Sequence, residues 1–132
     1  MSATPRPPTE YQECADLARW LTRRGLAFTH IPMGGKRDRK EAAILATIGT
    51  KPGVPDYLIF SIPLRRSTGL REPLQWPPSG VAVEMKRRNG GRVSKAQSAW
   101  LETLHACGWV AFVAHGAKEA IGHLDEMYRA DP

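Results

Sequence analysis

Cysteine is scarce in this chain of 132 residues: Cys14 and Cys107 are the only two. Two thiols cannot build a disulfide scaffold, and both fall within helix-like patterns. They read as buried free thiols in a reducing cytoplasm. Neither has His105, His115 or His123 at zinc-ligand spacing, so no zinc site is expected. Long apolar runs are missing too. None approaches the roughly 20 residues of a membrane span, so no membrane partner is expected. The opening MSATPRPPTE has no apolar core, so no secretory leader is expected. Acid is short as well, and locally so. Residues 36–95 carry thirteen Lys/Arg against five Asp/Glu, while residues 96–132 carry two against five. A basic middle beside an acidic end points to one face made for a polyanion or, more plainly, to a solubilising surface.

What is present is ordinary for a folded domain. Hydrophobic residues make up 42% and charged residues 24%, and the length suits one domain of about 100–150 residues. Residues 1–9, with Pro5, Pro7 and Pro8, read as a mobile tail. The single domain is expected over 10–132. Cys14, Leu17, Ala18 and Leu21 recur at helical spacing from Glu10, and Gly25 closes that helix. Residues 27–31 (AFTHI) read as a short strand ended by Pro32. MGGKRDRK reads as a loop, and EAAILATI as a second helix.

After the turn TKPGVPD, YLIFSI has strand length and VAVEMK alternates as a strand. Between them lies a Pro/Gly/Ser/Arg-rich arm over 63–80. Ser94 and Gln97 have capping-box spacing and open a helix whose apolar face is Trp100, Leu101, Leu104 and Cys107. WVAFVAH reads as a buried strand, and a last helix starts near Lys118. A helix between two strands requires a parallel crossover, so a mixed sheet flanked by helices is expected.

Two carboxylates stand out. Asp56 sits at the mouth of one strand and Glu84 inside the next, with Lys86 on the same strand face as Glu84. The plain alternative is a Glu84–Lys86 ion pair on a solvent-facing side of the sheet. Together, though, the three offer more. Two carboxylates on adjacent strands suit a hard divalent cation. A lysine beside them can orient an attacking water and stabilise charge on a phosphorane-like transition state. The surrounding Arg and Lys would hold a phosphodiester backbone. Lys36, Arg37, Arg39 and Lys40 in the loop, with Arg87, Arg88 and Lys95 near the second strand, are the candidate backbone contacts. MGGKRDRK is not a Walker phosphate loop: His30 stands where that motif needs its first glycine, and Arg37 replaces its Ser/Thr. His30 reads as structural or as a DNA or site contact. Trp76 reads as a wedge or a dimer contact, Trp100 and Trp109 as core.

Pro55-Asp56 followed by Glu84-Met85-Lys86 resembles the PD-(D/E)xK nuclease signature. G-V-P-D, V-E-M-K with its glycine turn, Ser94-x-x-Gln97, the amino-terminal helix and His30-Ile31-Pro32 together are similar to the VRR-NUC subfamily over residues 10–122. The resemblance implies an α/β, restriction-endonuclease-like core of one helix, three strands, one helix and one strand. It implies Mg²⁺ or Mn²⁺ held by Asp56, Glu84 and the Met85 carbonyl. It implies Lys86 as the residue that positions water and Gln97 as support for the site and the attacked phosphate. The family's first-helix acid is Glu10 by its distance from Trp20-Leu21, with Glu13 one turn on as the alternative. Where the family often has Asn after its H-x-P motif, this chain has Met33. Small stand-alone members resemble Holliday-junction resolvases of phages and bacteria. They imply a homodimer acting on branched DNA, a four-way junction above all. Members with extra domains cut flaps, and a flap or restriction-type nuclease on the same fold is the alternative. A non-catalytic basic DNA-binding module is the reading from a different class.

Overall fold

The computed structural model describes residues 6–32 and 38–130. The elements run α1 (Glu10–Arg23), β1 (Phe28–His30), α2 (Arg39–Thr47), β2 (Tyr57–Ile59), β3 (Val81–Lys86), α3 (Lys95–Ala106), β4 (Val110–His115) and α4 (Ala117–Tyr128). The fold is α/β: a four-stranded mixed sheet in the order β1-β2-β3-β4, flanked by helices. β1 and β2, and β2 and β3, pair antiparallel, whereas β3 and β4 pair parallel across the α3 crossover. No described helix is long and apolar enough to cross a membrane.

Local chemistry explains most boundaries. Thr9 caps α1, and Gln12 returns the bond to the Thr9 backbone. Gly25 leaves α1 at φ +68°, a left-handed turn that glycine makes without strain. Ser94 and Gln97 form the same reciprocal cap on α3. Asp38 caps α2, which therefore starts at Arg39, so Arg39 and Lys40 lie in its first turn rather than in a loop.

β2 is shorter than the six-residue apolar run suggests. Phe60 N–H still bonds to the Ala27 carbonyl at 2.7 Å, but the Ser61 hydroxyl then takes the Ala27 N–H at 2.8 Å. Pro63 two residues on can donate nothing. The arm over 63–80 is irregular, as its composition predicts, and it is tied down. Leu64 and Arg65 N–H both reach the Met127 carbonyl. The Ser67 and Thr68 hydroxyls bond to Glu126.

α1 and α4 pack together against one face of β3, and α3 covers the other face. Leu17 and Leu21 of α1 meet Val81, Val83 and Met85 of β3 and Leu124 and Met127 of α4 in a fully buried core. Burying each such side chain is worth about 1.5–3 kcal/mol. Three placements correct the expectations from sequence. Cys107, the C-cap of α3, is exposed. Trp76 is neither wedge nor free surface: it packs against the core with the Arg66 guanidinium 4.6 Å above its ring. Trp100 and Trp109 are only half-buried, because α3 is a single outer layer with solvent on its far side.

Candidate active site

β3 is buried on both faces, so Glu84 and Lys86 lie inside the protein and not on a solvent-facing side of the sheet. Their side chains point toward α3, opposite Val83 and Met85. Lys86 Nζ stands 3.6 Å from Glu84 Oε2 and donates to Gln97 Oε1 at 2.9 Å. Gln97 Nε2 donates to Glu84 Oε2 at 3.2 Å. The Gln97 oxygen also accepts the Ser94 N–H at 2.9 Å, so one amide caps α3 and joins both charged side chains.

Asp56 is fixed from two directions. Its carbonyl accepts the Ile31 N–H at 2.7 Å, and its Oδ2 accepts the Met85 N–H at 2.7 Å. The N–H and C=O of one strand residue face the same neighbour, so the Met85 carbonyl is on the Asp56 side as well. Asp56, one residue before β2, is thus tied to the residue that follows Glu84, and its charge acts on Glu84. The two acids therefore lie near each other where β2 meets β3, with the amine of Lys86 beside Glu84.

This proximity has an electrostatic signature. Burial, then the charge of Asp56 and its hydrogen bond, push Glu84 up to about 8, with Lys86 opposing. Without a metal ion, Glu84 thus favours its neutral form near pH 7 even with the Lys86 ammonium beside it. Behind the pair, the Tyr57 hydroxyl donates to the Cys14 carbonyl at 2.9 Å. Burial and the charge of Asp56 push the Cys14 thiol up to about 11, which keeps it neutral. Among the described residues, no three His, Cys, Asp or Glu side chains form a metal-ligating cluster. The available donors are two carboxylates and a backbone carbonyl. All are hard oxygens, and one of them carries a proton that a cation could replace. That donor set suits Mg²⁺ or Mn²⁺ and not a soft metal.

The other expected residues divide. Glu10 is exposed and lines a cavity shared with Asp56. Glu13 turns the other way: it is buried against Arg88, 3.3 Å from its guanidinium, and one carboxyl oxygen has no hydrogen-bond partner. The first-helix acid on the site side is therefore Glu10. Arg87, Arg88 and Lys95 are exposed at the same end of β3 and α3, while Arg39 and Lys40 are exposed on α2. Lys36 and Arg37, and the departure at Met33, lie outside the described residues. His30 lines the Asp56 cavity, its ring 5.1 Å from that of Tyr57.

Two glycines were not singled out as site residues, and both shape it. A Cβ on Gly53 (φ +88°) would come within 2.5 Å of the Ala96 backbone, so only glycine lets the loop before Asp56 cross the start of α3. A Cβ on Gly91 (φ +90°) would approach the Lys86 stem at 3.2 Å. The turn motifs G-V-P-D and N-G-G contained both, but a turn signal alone does not say what the turn passes over.

A solved structure described as a VRR-NUC domain protein shares the fold, with a TM-score of 0.71 and 22% identity over 93% of this chain and 90% of that one. No curated protein matches the chain. A family model, the VRR-NUC domain, matches residues 9–118, which span every element from the α1 cap to the start of α4 and all the site residues named above. The chain therefore belongs to the VRR-NUC domain family, and its function is of the nuclease type.

Proposed function

We propose that the protein is a metal-dependent, structure-specific DNA endonuclease that hydrolyses phosphodiester bonds in branched DNA, four-way junctions above all. The observation that supports this most is that Asp56 is bonded to the Met85 N–H, next to Glu84, while Gln97 joins Glu84 and Lys86. A pure DNA binder gains nothing from two acids placed where phosphates must come.

Asp56, Glu84 and the Met85 carbonyl would hold Mg²⁺ or Mn²⁺, which when bound supplies Lewis-acid activation and neutralises charge on the phosphate. The protein's own groups do the rest. Asp56 cannot swing away, because Met85 N–H and the β1 end fix it. Lys86 presents an ammonium whose direction is set by Gln97 and Glu84. It orients the attacking water and faces the negative charge that grows on the non-bridging oxygens. Glu10 stands at the rim as a further acceptor for water. Arg87, Arg88 and Lys95 supply cationic contacts to the flanking backbone.

A homodimer would set two such sites on opposing strands of a junction. Phe60, Ile62 and Leu64, each about half exposed or more, offer an apolar surface for that pairing. The test is cleavage of a four-way junction, a flap and a plain duplex of matched length, with Mg²⁺ or Mn²⁺. Preferential, metal-dependent cutting of the junction is expected. Equal or better cutting of plain duplex overturns the junction reading. Metal-independent binding without cleavage of any substrate overturns the enzyme.

A further inference from the structure

A cavity of about 580 Å³ opens directly beside Asp56, between α1 and the end of β1. Its size is in the range of small-molecule sites. Its walls include Tyr11, Cys14, Ala18, His30 and Pro32, and its charged members among the described residues are Glu10 and Asp56, both acidic. Tyr11 is 79% exposed, an aromatic ring left in water at the mouth of this cavity. His30 is backed by the Tyr57 ring at 5.1 Å, and Tyr57 is itself pinned to the α1 backbone through its hydroxyl. The cavity therefore has a firm wall and an exposed ring at its entrance.

Among the described residues, no lysine or arginine lines it. A phosphate would meet the two carboxylates of these walls. A nucleobase meets the opposite situation. It is flat and uncharged, it stacks on aromatic faces whatever its identity, and its exocyclic amino group can donate to a carboxylate. The Lys86 amine is turned toward Gln97 of α3 and is not among the cavity walls. A nucleotide whose phosphate meets Lys86 at the acid pair can thus place its base in the cavity beside Asp56.

We infer that this cavity receives an unstacked nucleobase next to the scissile phosphate, with Tyr11 and His30 as its aromatic contacts and Glu10 as acceptor. The inference rests on the nuclease reading and narrows its substrate. A base in continuous duplex is stacked inward and must be extruded at a cost in pairing energy before it can enter such a pocket. A nucleotide at a branch point is already unpaired or easily freed. The pocket, rather than the acid pair, would then make the enzyme choose branched DNA.

The test uses the full chain with Mn²⁺ and a branched oligonucleotide whose cut has been mapped. The nucleotide on each side of the scissile phosphate is replaced in turn by an abasic residue. One of the two replacements should slow cleavage by roughly 5-fold to 100-fold, the scale for stacking one base on an aromatic ring. Tyr11→Ala should slow cleavage of the base-containing substrate similarly, its penalty should fall below about 2-fold on the abasic substrate, and Tyr11→Phe should restore the rate. Tyr11 is exposed, so the melting temperature should not move. If both abasic substrates are cut within about 2-fold of the parent, or if Tyr11→Ala costs the same on both kinds of substrate, the base pocket is wrong while the nuclease reading stands. If no substrate is cut at all, the nuclease reading fails and the pocket goes with it.

Discussion

The side-chain oxygen of Gln97 that closes the α3 cap on Ser94 N–H is the same oxygen that accepts the Lys86 amine, both at 2.9 Å. The start of a helix and the aim of a buried cation are thereby one structural feature. Gln97→Ala removes both. The cap loss should destabilise the fold by about 1 kcal/mol, and freeing Lys86 and Glu84 should lower cleavage by about 10–100-fold, the usual cost of losing a supporting partner. Gln97→Glu keeps the capping oxygen but puts a carboxylate against Glu84 in place of a donor. It should retain more thermal stability than Gln97→Ala and yet lose activity. Melting curves and single-turnover rates for the two variants separate the roles.

Lys86→Ala should leave branched-DNA binding close to that of the wild type, because one buried amine contributes little to backbone contact. Cleavage should fall by about 10²–10³-fold, as for loss of a group that stabilises developing negative charge. A gel-shift titration beside a cleavage time course tests this. A parallel fall in both would make Lys86 a binding residue.

Glu84 makes the metal-free protein pH-sensitive. Its carboxyl is raised from an ordinary 4.5 to about 8 by burial and by Asp56. Between those values the folded state holds a proton that the unfolded chain has released, so stability falls as pH rises. The contribution is complete below about 4.5 and lost once pH passes about 8. In chelator, the melting temperature of the wild type should decline between pH 5 and pH 8 more steeply than that of Glu84→Gln, whose amide cannot ionise. Added Mn²⁺ should offset the decline in the wild type and not in the variant.

Gly53→Ala should disturb the site from a distance. The added Cβ would press on the Ala96 backbone at 2.5 Å, and φ +88° is strained for any L side chain. The loop must shift, and Asp56 is three residues on. A loss of at least about 1 kcal/mol in stability together with reduced cleavage is expected from denaturant melts and rate measurements. Gly25→Ala is the comparison, since φ +68° there carries similar backbone strain with no atom near the added Cβ. It should lose stability without the same loss of activity.

Much of this arrangement was legible in the sequence, and the parts that were not have physical reasons. β3 and the α3 cap were readable because a period of two and an S-x-x-Q spacing are local signals. Glu84 and Lys86 on one face follow from the same period. The convergence of Asp56 on Glu84 depends on an antiparallel register, Tyr57 opposite Val83, which no local pattern encodes. The expectation rested on taking the two strands as hairpin partners, and the family resemblance agreed with it. Glu10 and Glu13 are nearly a helical turn apart, so only the packing of α1 against α4 decides which one is buried. Cys107 and Trp100 were misplaced because a helix period marks an apolar stripe without saying how deeply a partner covers it, and Trp76 because the arm that carries it has no period to show what it packs against. The extent of β2 was overread because hydrophobicity continues through Phe60 and Ile62 after the ladder has ended.

The acid pair itself is tested most directly by a cleavage assay on a four-way junction, with Mn²⁺ and with chelator, comparing the wild type with Asp56→Asn and Glu84→Gln. The wild type should cut only with the metal, and each variant should bind the junction with little loss and cut nothing. Undiminished cutting by either variant, or cutting by the wild type in chelator, would contradict the account.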